Sequence, residues 1–248
     1  MALKEELEEQ GNFLFKYRTY LPLILLGAGI LVFIFSKING HCFNTPVGYW
    51  ILAFSVGLIG LFVRIYTVGH TPVNTSGRNT TEGQIADQLN VTGAYSLVRH
   101  PLYLGNFLMW LSIALLTANS TFILVFILSF WIYYERIMYA EESFLRKGFG
   151  PVFENWAATV PAFIPKTTGF VAPKYPFSWK KVLKKEKNGL AALVGLFFVF
   201  EYIDRVIITQ NWSLHWSPLS VGFCTVLVLY VVLKILKKNS SILEEEGR

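Results

Sequence analysis

Six apolar runs dominate the chain, at about 20–36, 47–63, 102–116, 121–138, 189–208 and 218–236, with polar segments between them. Each approaches the roughly 20 residues a helix needs to cross a hydrocarbon core about 30 Å thick. Within that core the backbone finds no water, so a run of this kind must bond to itself as a helix. Composition agrees: 53% of the residues are hydrophobic and 15% are charged. An ordinary soluble domain carries roughly 25% charged residues. The sequence therefore predicts an all-α, polytopic membrane protein of about six transmembrane helices.

The net charge of +6 is no nucleic-acid signature, because the basic residues gather at the ends of apolar runs. Segments 1–19, 64–101, 139–188 and 234–248 hold nearly all the Lys and Arg, while connections 37–46, 117–120 and 209–217 hold only Lys37. The positive-inside rule then puts both termini and both long polar segments in the cytoplasm, and in a bacterium it makes the host the inner membrane. Residues 1–19 read as a polar, amphipathic surface helix and not as a cleaved signal peptide. Cys42 and Cys224 lie far apart, and His41, His70 and His215 show no ligand spacing. Neither a disulfide framework nor a metal site is expected. The sequons at Asn79 and Asn90 fall on the cytoplasmic side and read as chance.

Connection lengths organise the spans. Gly27 and Gly29 inside the first run read as helix-packing positions rather than as a phosphate loop. A long polar stretch follows Val68, in which Gln84–Leu89 is expected to form a short helix. Spans three and four are separated only by residues 117–120, which forces an antiparallel helical hairpin. Arg99–Tyr103 must then lie near Glu135–Glu142. The fourth helix is expected to run out of the membrane, break at Gly148–Pro151 and stop at Pro161 and Pro165. This gives a surface segment 1–19, a core 20–165, a basic linker 166–188, and two further spans with a frayed charged tail, 189–248.

The stretch Thr92–Gly105, TGAYSLVRHPLYLG, is the chemical focus. It sets Arg99 and His100 at the mouth of a helix whose first position is Pro101, where a missing N–H costs nothing. A cation and an imidazole at a helix N-terminus make a seat for an anionic group; as an alternative they are interfacial anchors. Glu141 and Glu142 stand at the facing end of the fourth span, about 100° apart on the helix, so at most one is expected to face the partner. Glu201, Asp204 and Arg205 in the fifth run are suspects for transport. An i,i+4 pairing of Arg205 with Glu201 is the simpler reading.

RHPLYLG, then EESFLRKGFGPVFENW, then VPAFIP resembles the isoprenylcysteine carboxyl methyltransferases and their phospholipid methyltransferase relatives, membrane enzymes that use S-adenosylmethionine. The resemblance covers Ala94–Pro165 and leaves spans five and six outside. It implies a cytoplasmic-facing cofactor pocket between the hairpin end and the next helix. Arg99, His100, Tyr103, Gly105, Glu141 and Glu142 would bind the cofactor, Gly105 by letting the cofactor or a neighbouring helix approach closely, with Arg99 and Glu142 as the catalytic pair. Pro161 and Phe163 match the end of the pattern. Where relatives usually have tyrosines after the Gly pair, this chain has Phe153 and Trp156.

The residue types suit that chemistry. Arg99 would clamp a carboxylate, Glu141 or Glu142 would accept from an ammonium or ribose, and Tyr103, Trp110 or Trp156 would stack on adenine or face the sulfonium. Arg64, Arg78, Trp156 and the lysines after 166 are the substrate-side candidates. An anionic acceptor needs no base, whereas an amine would need one, from Glu135 or Glu142. The expectation is O-methylation of an acidic group, carboxylate or phosphate, on a lipid or lipid-linked substrate. The alternatives are isoprenylcysteine carboxyl methylation, aminolipid N-methylation, a non-catalytic scaffold, and a transporter or channel subunit using the fifth-span charges.

Overall fold

The computed structural model describes residues 2–40, 45–72, 75, 78–80 and 83–247, with 78–80 and 83–85 described by backbone alone. Eight α-helices are found among them: α1 Leu3–Lys16, α2 Tyr20–Ile38, α3 Val47–His70, α4 Pro101–Leu116, α5 Ser120–Phe149, α6 Pro151–Ala157, α7 Trp179–Thr209 and α8 Pro218–Asn239. The long polar connection holds an antiparallel pair, β1 Arg78–Thr80 with β2 Gly83–Ile85. Helices α2, α3, α5 and α8 are long and apolar enough to cross a membrane, and the chain is an integral, multi-pass membrane protein. Their outer faces expose Leu31, Phe35, Phe62, Leu124 and Val228, as a hydrocarbon solvent permits. Helix α4 is apolar but 16 residues long, and the apolar half of α7 carries Glu201, Asp204 and Arg205.

Local chemistry sets the helix ends. The α4–α5 hairpin turns at Ala118, and the Asn119 side chain accepts from the Phe122 N–H to cap α5. Helix α5 continues well past its apolar part and ends at Gly150, whose φ of 51° suits glycine and is followed by Pro151 at the start of α6. Ser178 caps α7 by accepting from the Lys181 N–H, and Ser217 caps α8 in a capping box with Ser220.

Small residues let α3 and α4 nearly touch. A Cβ at Gly60 would lie 2.6 Å from the Gly105 carbonyl, and one at Gly105 would lie 2.5 Å from Arg64 Cγ. Helix α1 docks on α5 in a similar way, where a Cβ at Gly11 would meet the Arg136 carbonyl at 2.2 Å. Polar contacts support that dock: Arg136 donates to Gln10 at 2.9 Å, Ser143 to Glu8 at 2.8 Å, and Lys147 also reaches Glu8. The Lys147 ammonium, with the Ser143 hydroxyl, holds the Glu8 carboxyl below its usual range. The buried core runs along α5 through Phe122, Phe126, Phe130, Tyr134 and Ile137, with a second cluster where α2, α3, α4 and α7 meet.

Several expectations change. Residues 83–85 form strand β2 and not the start of a helix over 84–89, because an uncapped turn so short has no means of nucleating. The lysines of 180–187 belong to α7, which begins at Trp179 rather than at Gly189, since Ser178 supplies a cap. The C-terminal tail is not simply frayed: Leu243 is buried and Glu245 accepts from Ser178 at the α7 N-terminus, where the helix dipole favours a carboxylate. Arg205 donates to the Ser213 carbonyl and not to Glu201, which accepts from Ser217, while Asp204 pairs with buried Lys37 at 2.7 Å. Of the GxG pair, Gly29 packs within 3.1 Å of Phe122 and Gly27 meets nothing within 4 Å. His41 and Cys42 lie outside the described residues.

The contrast between glycines is testable. Gly105→Leu should cost about 1–3 kcal/mol or more by overpacking, whereas Gly27→Leu should be nearly neutral. Thermal unfolding of detergent-purified protein followed by circular dichroism reads both, and equal midpoints would refute the close α3–α4 approach.

Candidate functional site

The hairpin carries Arg99 and His100 to the emergent part of α5. Arg99 donates from Nε to Glu142 Oε1 at 2.8 Å and from Nη2 to Glu142 Oε2 at 3.2 Å, a forked pair. Its Nη1 donates to the carbonyls of Ala157 and Val160 at 2.8 and 2.6 Å. His100 is buried, with Nε2 2.9 Å from Glu142 Oε1; since a carboxylate only accepts, that nitrogen carries the proton. Its Nδ1 lies 3.6 Å from Glu141 Oε2. Both carboxylates therefore meet His100, against the expectation that at most one would, because opposite edges of a single ring reach them.

Residues 157–174 strap this corner. The Arg99 and His100 N–H groups donate to the Pro161 and Ala162 carbonyls at 2.9 and 3.1 Å, and Lys166 N–H donates to Leu97 at 3.1 Å. Phe163 sets its ring edge-on against Phe107 and Trp131. Two backbone donors at the mouth of α4 are thus taken by the chain, and the anion seated beside them is Glu142. Arg99 is a fork holding Glu142 and two carbonyls, with little left for the bidentate cofactor clamp inferred from its type.

Two cavities adjoin the corner and share Tyr95, Arg99, His100 and Glu141 in their walls. The larger, about 340 Å³, is also lined by Arg18, Arg64, Pro101, Tyr103, Asn106, Lys181, Lys185 and Glu186. The smaller, about 40 Å³, adds Glu142, Phe153 and Trp156. Glu141 lines both, and its Oε2 is buried without a hydrogen-bond partner. A buried carboxylate oxygen in that state is costly unless a ligand completes it. Tyr103 stacks on His100 at 5.6 Å and meets Tyr134 edge-on at 5.2 Å. Burial pushes the Tyr95 hydroxyl well up, and the neighbouring Glu141 adds to it, so Tyr95 stays a neutral phenol.

The remaining candidates separate. Arg64 donates from Nε and Nη2 to the two Glu186 oxygens, both at 2.8 Å, and from Nη1 to Asn106 at 2.6 Å. Trp156 lines the smaller cavity and donates to the Tyr95 carbonyl at 3.1 Å. Gly105 lines neither cavity; it admits Arg64 and α3. Trp110 packs in the apolar core and Glu135 is exposed, so neither reaches the corner. The side chain of Arg78 lies outside the described residues. Sequence reasoning missed Arg18, Tyr95, Asn106 and Glu186. Asn106 follows Tyr103 at i+3, which signals a shared face; nothing local marks Arg18 or Glu186. His70 bonds the Tyr175 carbonyl at 2.8 Å, a structural contact.

Comparison with known proteins follows this geometry. Residues 49–152, from α3 into α6, match the family model described as phospholipid methyltransferase. The nickel-cobalt-cadmium resistance protein NccN of Alcaligenes xylosoxydans xylosoxydans is 34% identical over 57% of this chain and 63% of its own length. The cobalt-zinc-cadmium resistance protein CzcN of Cupriavidus metallidurans is 33% identical over 48% and 53%. Protein-S-isoprenylcysteine O-methyltransferase of Schizosaccharomyces pombe is 38% identical over 32% and 34%. The matches thus span between about a third and under two thirds of these relatives' length. No solved structure matches the chain.

Removing Arg99 should free the strap. Arg99→Ala leaves a largely buried carboxylate with His100 as its remaining donor and two carbonyls with none, at a cost of about 3 kcal/mol. Hydrogen exchange across residues 157–166 should then quicken well beyond that of α2. Unchanged exchange would show that Arg99 does not hold this segment.

Proposed function

Through residues 49–152 the chain belongs to the phospholipid methyltransferase family, whose members use S-adenosylmethionine, and on that premise we propose that it is a membrane methyltransferase acting on an acidic lipid or lipid-linked group. The observation that carries this reading is Glu141, which lines both cavities among aromatic and basic side chains and has one buried carboxylate oxygen without a hydrogen-bond partner. Those residues suit the cofactor: Glu141 would accept from its ammonium or ribose hydroxyls, and Tyr95, Tyr103 and His100 would line its place. Gly105 would serve by admitting α3, and Arg99 and Glu142 would serve by holding His100 and Glu141 in register. The bound cofactor would supply an electrophilic methyl carbon on a sulfonium.

The chain's own part is alignment and exclusion of water, which an in-line displacement needs more than it needs a base. An anionic acceptor suits this site better than an amine. Glu142 already takes three hydrogen bonds from two side chains and exposed Glu135 lies elsewhere, while Glu141 would be taken by the cofactor, so none of the three would be free to serve an amine as base. Arg64, Arg78 and Trp156 remain substrate-side candidates. A carboxylate acceptor such as an isoprenylcysteine, or an aminolipid, is the alternative within the same fold.

Six crossings fit this function. Helix α4 runs beside α3 from Gly105 at Gly60 to Ser112 at Gly57, and α7 runs the same depth from Glu186 to Asp204, about 27 Å at 1.5 Å per residue. The charge bias of the connections puts both termini and the cavity in the cytoplasm. Transport finds less support, because the fifth-run charges are engaged with Lys37, Ser213 and Ser217.

Calorimetric titration of detergent-purified protein with S-adenosylmethionine tests the reading. Saturable binding, weakened at least tenfold by Glu141→Gln, is expected. Well-folded wild type that binds none sinks it.

A further inference from the structure

We propose that Asn106 determines which methyl acceptor the site takes: its amide nitrogen, oriented by Arg64, would donate to an oxyanion of the acceptor, a carboxylate or a phosphate. The proposal rests on the methyltransferase reading and adds a residue on the acceptor's side of that site. Close packing puts the amide in place. Gly105 leaves the room that Arg64 Cγ uses, 2.5 Å from where a Cβ would stand, so α3 delivers a guanidinium beside the next residue of α4. Arg64 Nη1 donates to Asn106 Oδ1 at 2.6 Å, while Nε and Nη2 donate to the two Glu186 oxygens, both at 2.8 Å.

A guanidinium only donates, so the amide oxygen must be the atom that faces it, and chemistry settles which way the amide is turned. The nitrogen is the arm left over. It has no partner among the described residues and is not sealed from solvent, and Asn106 lines the larger cavity. Glu186 holds Arg64 from α7, outside the segment that matches the family, and is a positioning residue for the amide.

Depth decides which ligand meets this group. Asn106 lies six residues beyond His100, about 9 Å further along α4 at 1.5 Å per residue. The cofactor's place is argued from the mouth of α4, where His100 meets Glu141. Asn106 stands inward of it, on the bilayer side, from which a lipid head would come. Hydrogen-bond polarity decides what that head must be. At this level Asn106 Oδ1 and both Glu186 oxygens already accept from Arg64, and the Glu186 side chain is 4% exposed. The groups left over are donors: two N–H bonds of the amide and two of the five on Arg64. A carboxylate or phosphate oxygen completes them, whereas an ammonium sets donors against donors. Arg64 and Glu186 offset each other in charge, so this selection does not rest on the net charge of the cavity.

The test is calorimetry of the detergent-purified full chain with S-adenosylmethionine and with dodecanoate, dodecyl phosphate and dodecylamine, which share one tail. At least one oxyanion should bind ten times or more tightly than the amine, and the tighter of the two names the acceptor's class. Asn106→Asp keeps the shape and the oxygen that accepts from Arg64 but replaces the donors by an acceptor. It should weaken oxyanion binding at least tenfold, as loss of a hydrogen bond to a charged group predicts, and leave S-adenosylmethionine binding within about threefold. A merely structural partner of Arg64 would be preserved by Asp and would move neither. Should Asn106→Asp unfold, Asn106→Ala carries the same expectation. The proposal is overturned by amine binding as tight as that of the oxyanions, by binding of neither oxyanion, or by an oxyanion affinity unchanged in the folded variant. It is overturned equally if the cofactor loses as much affinity as the oxyanion, since the amide would then serve the cofactor. Wild type that binds no S-adenosylmethionine yet keeps the oxyanion preference and its loss in Asn106→Asp would instead overturn the methyltransferase reading and leave the amide site standing.

Discussion

The Glu142 carboxylate accepts from Arg99 and His100 at 2.8 and 2.9 Å, and much of the site's geometry depends on that junction. It joins the mouth of α4 to the emergent turn of α5, two points 42 or 43 residues apart in the chain. Through the other arm of Arg99 it also fixes the end of α6 and the strap beyond it. A forked guanidinium–carboxylate pair is directional, which apolar packing is not. Where two helices leave an apolar medium, that directionality sets their rotation. The consequence reaches Glu141, whose neighbour is held on one side of His100 while Glu141 itself is turned toward the cavity.

The two ends of the bundle divide their charges differently. At the site end, cations and carboxylates surround a cavity and one carboxylate oxygen lacks a partner. At the other end, Lys37 is buried against Asp204, and Glu201 and Arg205 are satisfied by Ser217 and the Ser213 carbonyl. Buried pairs of that kind add little net stability, but breaking one leaves an uncompensated charge. The Lys37–Asp204 pair locks α2 to α7. The candidate site stands at one end and the fastening at the other.

Much of this was legible in the sequence for physical reasons. Apolar runs of bilayer length left the helices no alternative, and a connection as short as 117–120 forced the hairpin that brings Arg99 and His100 to Glu142. What stayed hidden was the use of each donor. Arg99 has the right chemistry for a cofactor carboxylate, yet Glu142 and two carbonyls occupy it, and only three-dimensional proximity reveals that. Gly105 read as room for either the cofactor or a neighbouring helix, and it is the helix that uses it, since the atoms that need the space belong to Arg64 and Gly60. Glu186 was invisible because a single carboxylate in a lysine-rich run looks solvated until α3 is placed beside it. The β1–β2 pair was missed because three-residue strands carry too few alternations to show a period.

The family match and the cavity wall do not coincide, and that mismatch has a functional logic. The matched segment, 49–152, supplies His100, Tyr103, Glu141 and the Arg99–Glu142 frame. Arg18, Lys181, Lys185 and Glu186 come from the flanking pieces. Arg18 follows a helix held to α5 by the close approach at Gly11, and the others come from a helix held to α3 by Arg64. A cofactor common to a family constrains the frame that holds it, whereas acceptors that differ in charge constrain only what stands opposite. Placing the opposite wall on flanking helices lets it change without disturbing the hairpin. Of the last two helices, α7 is therefore more than an anchor, since Lys181, Lys185 and Glu186 of its first turns wall the larger cavity.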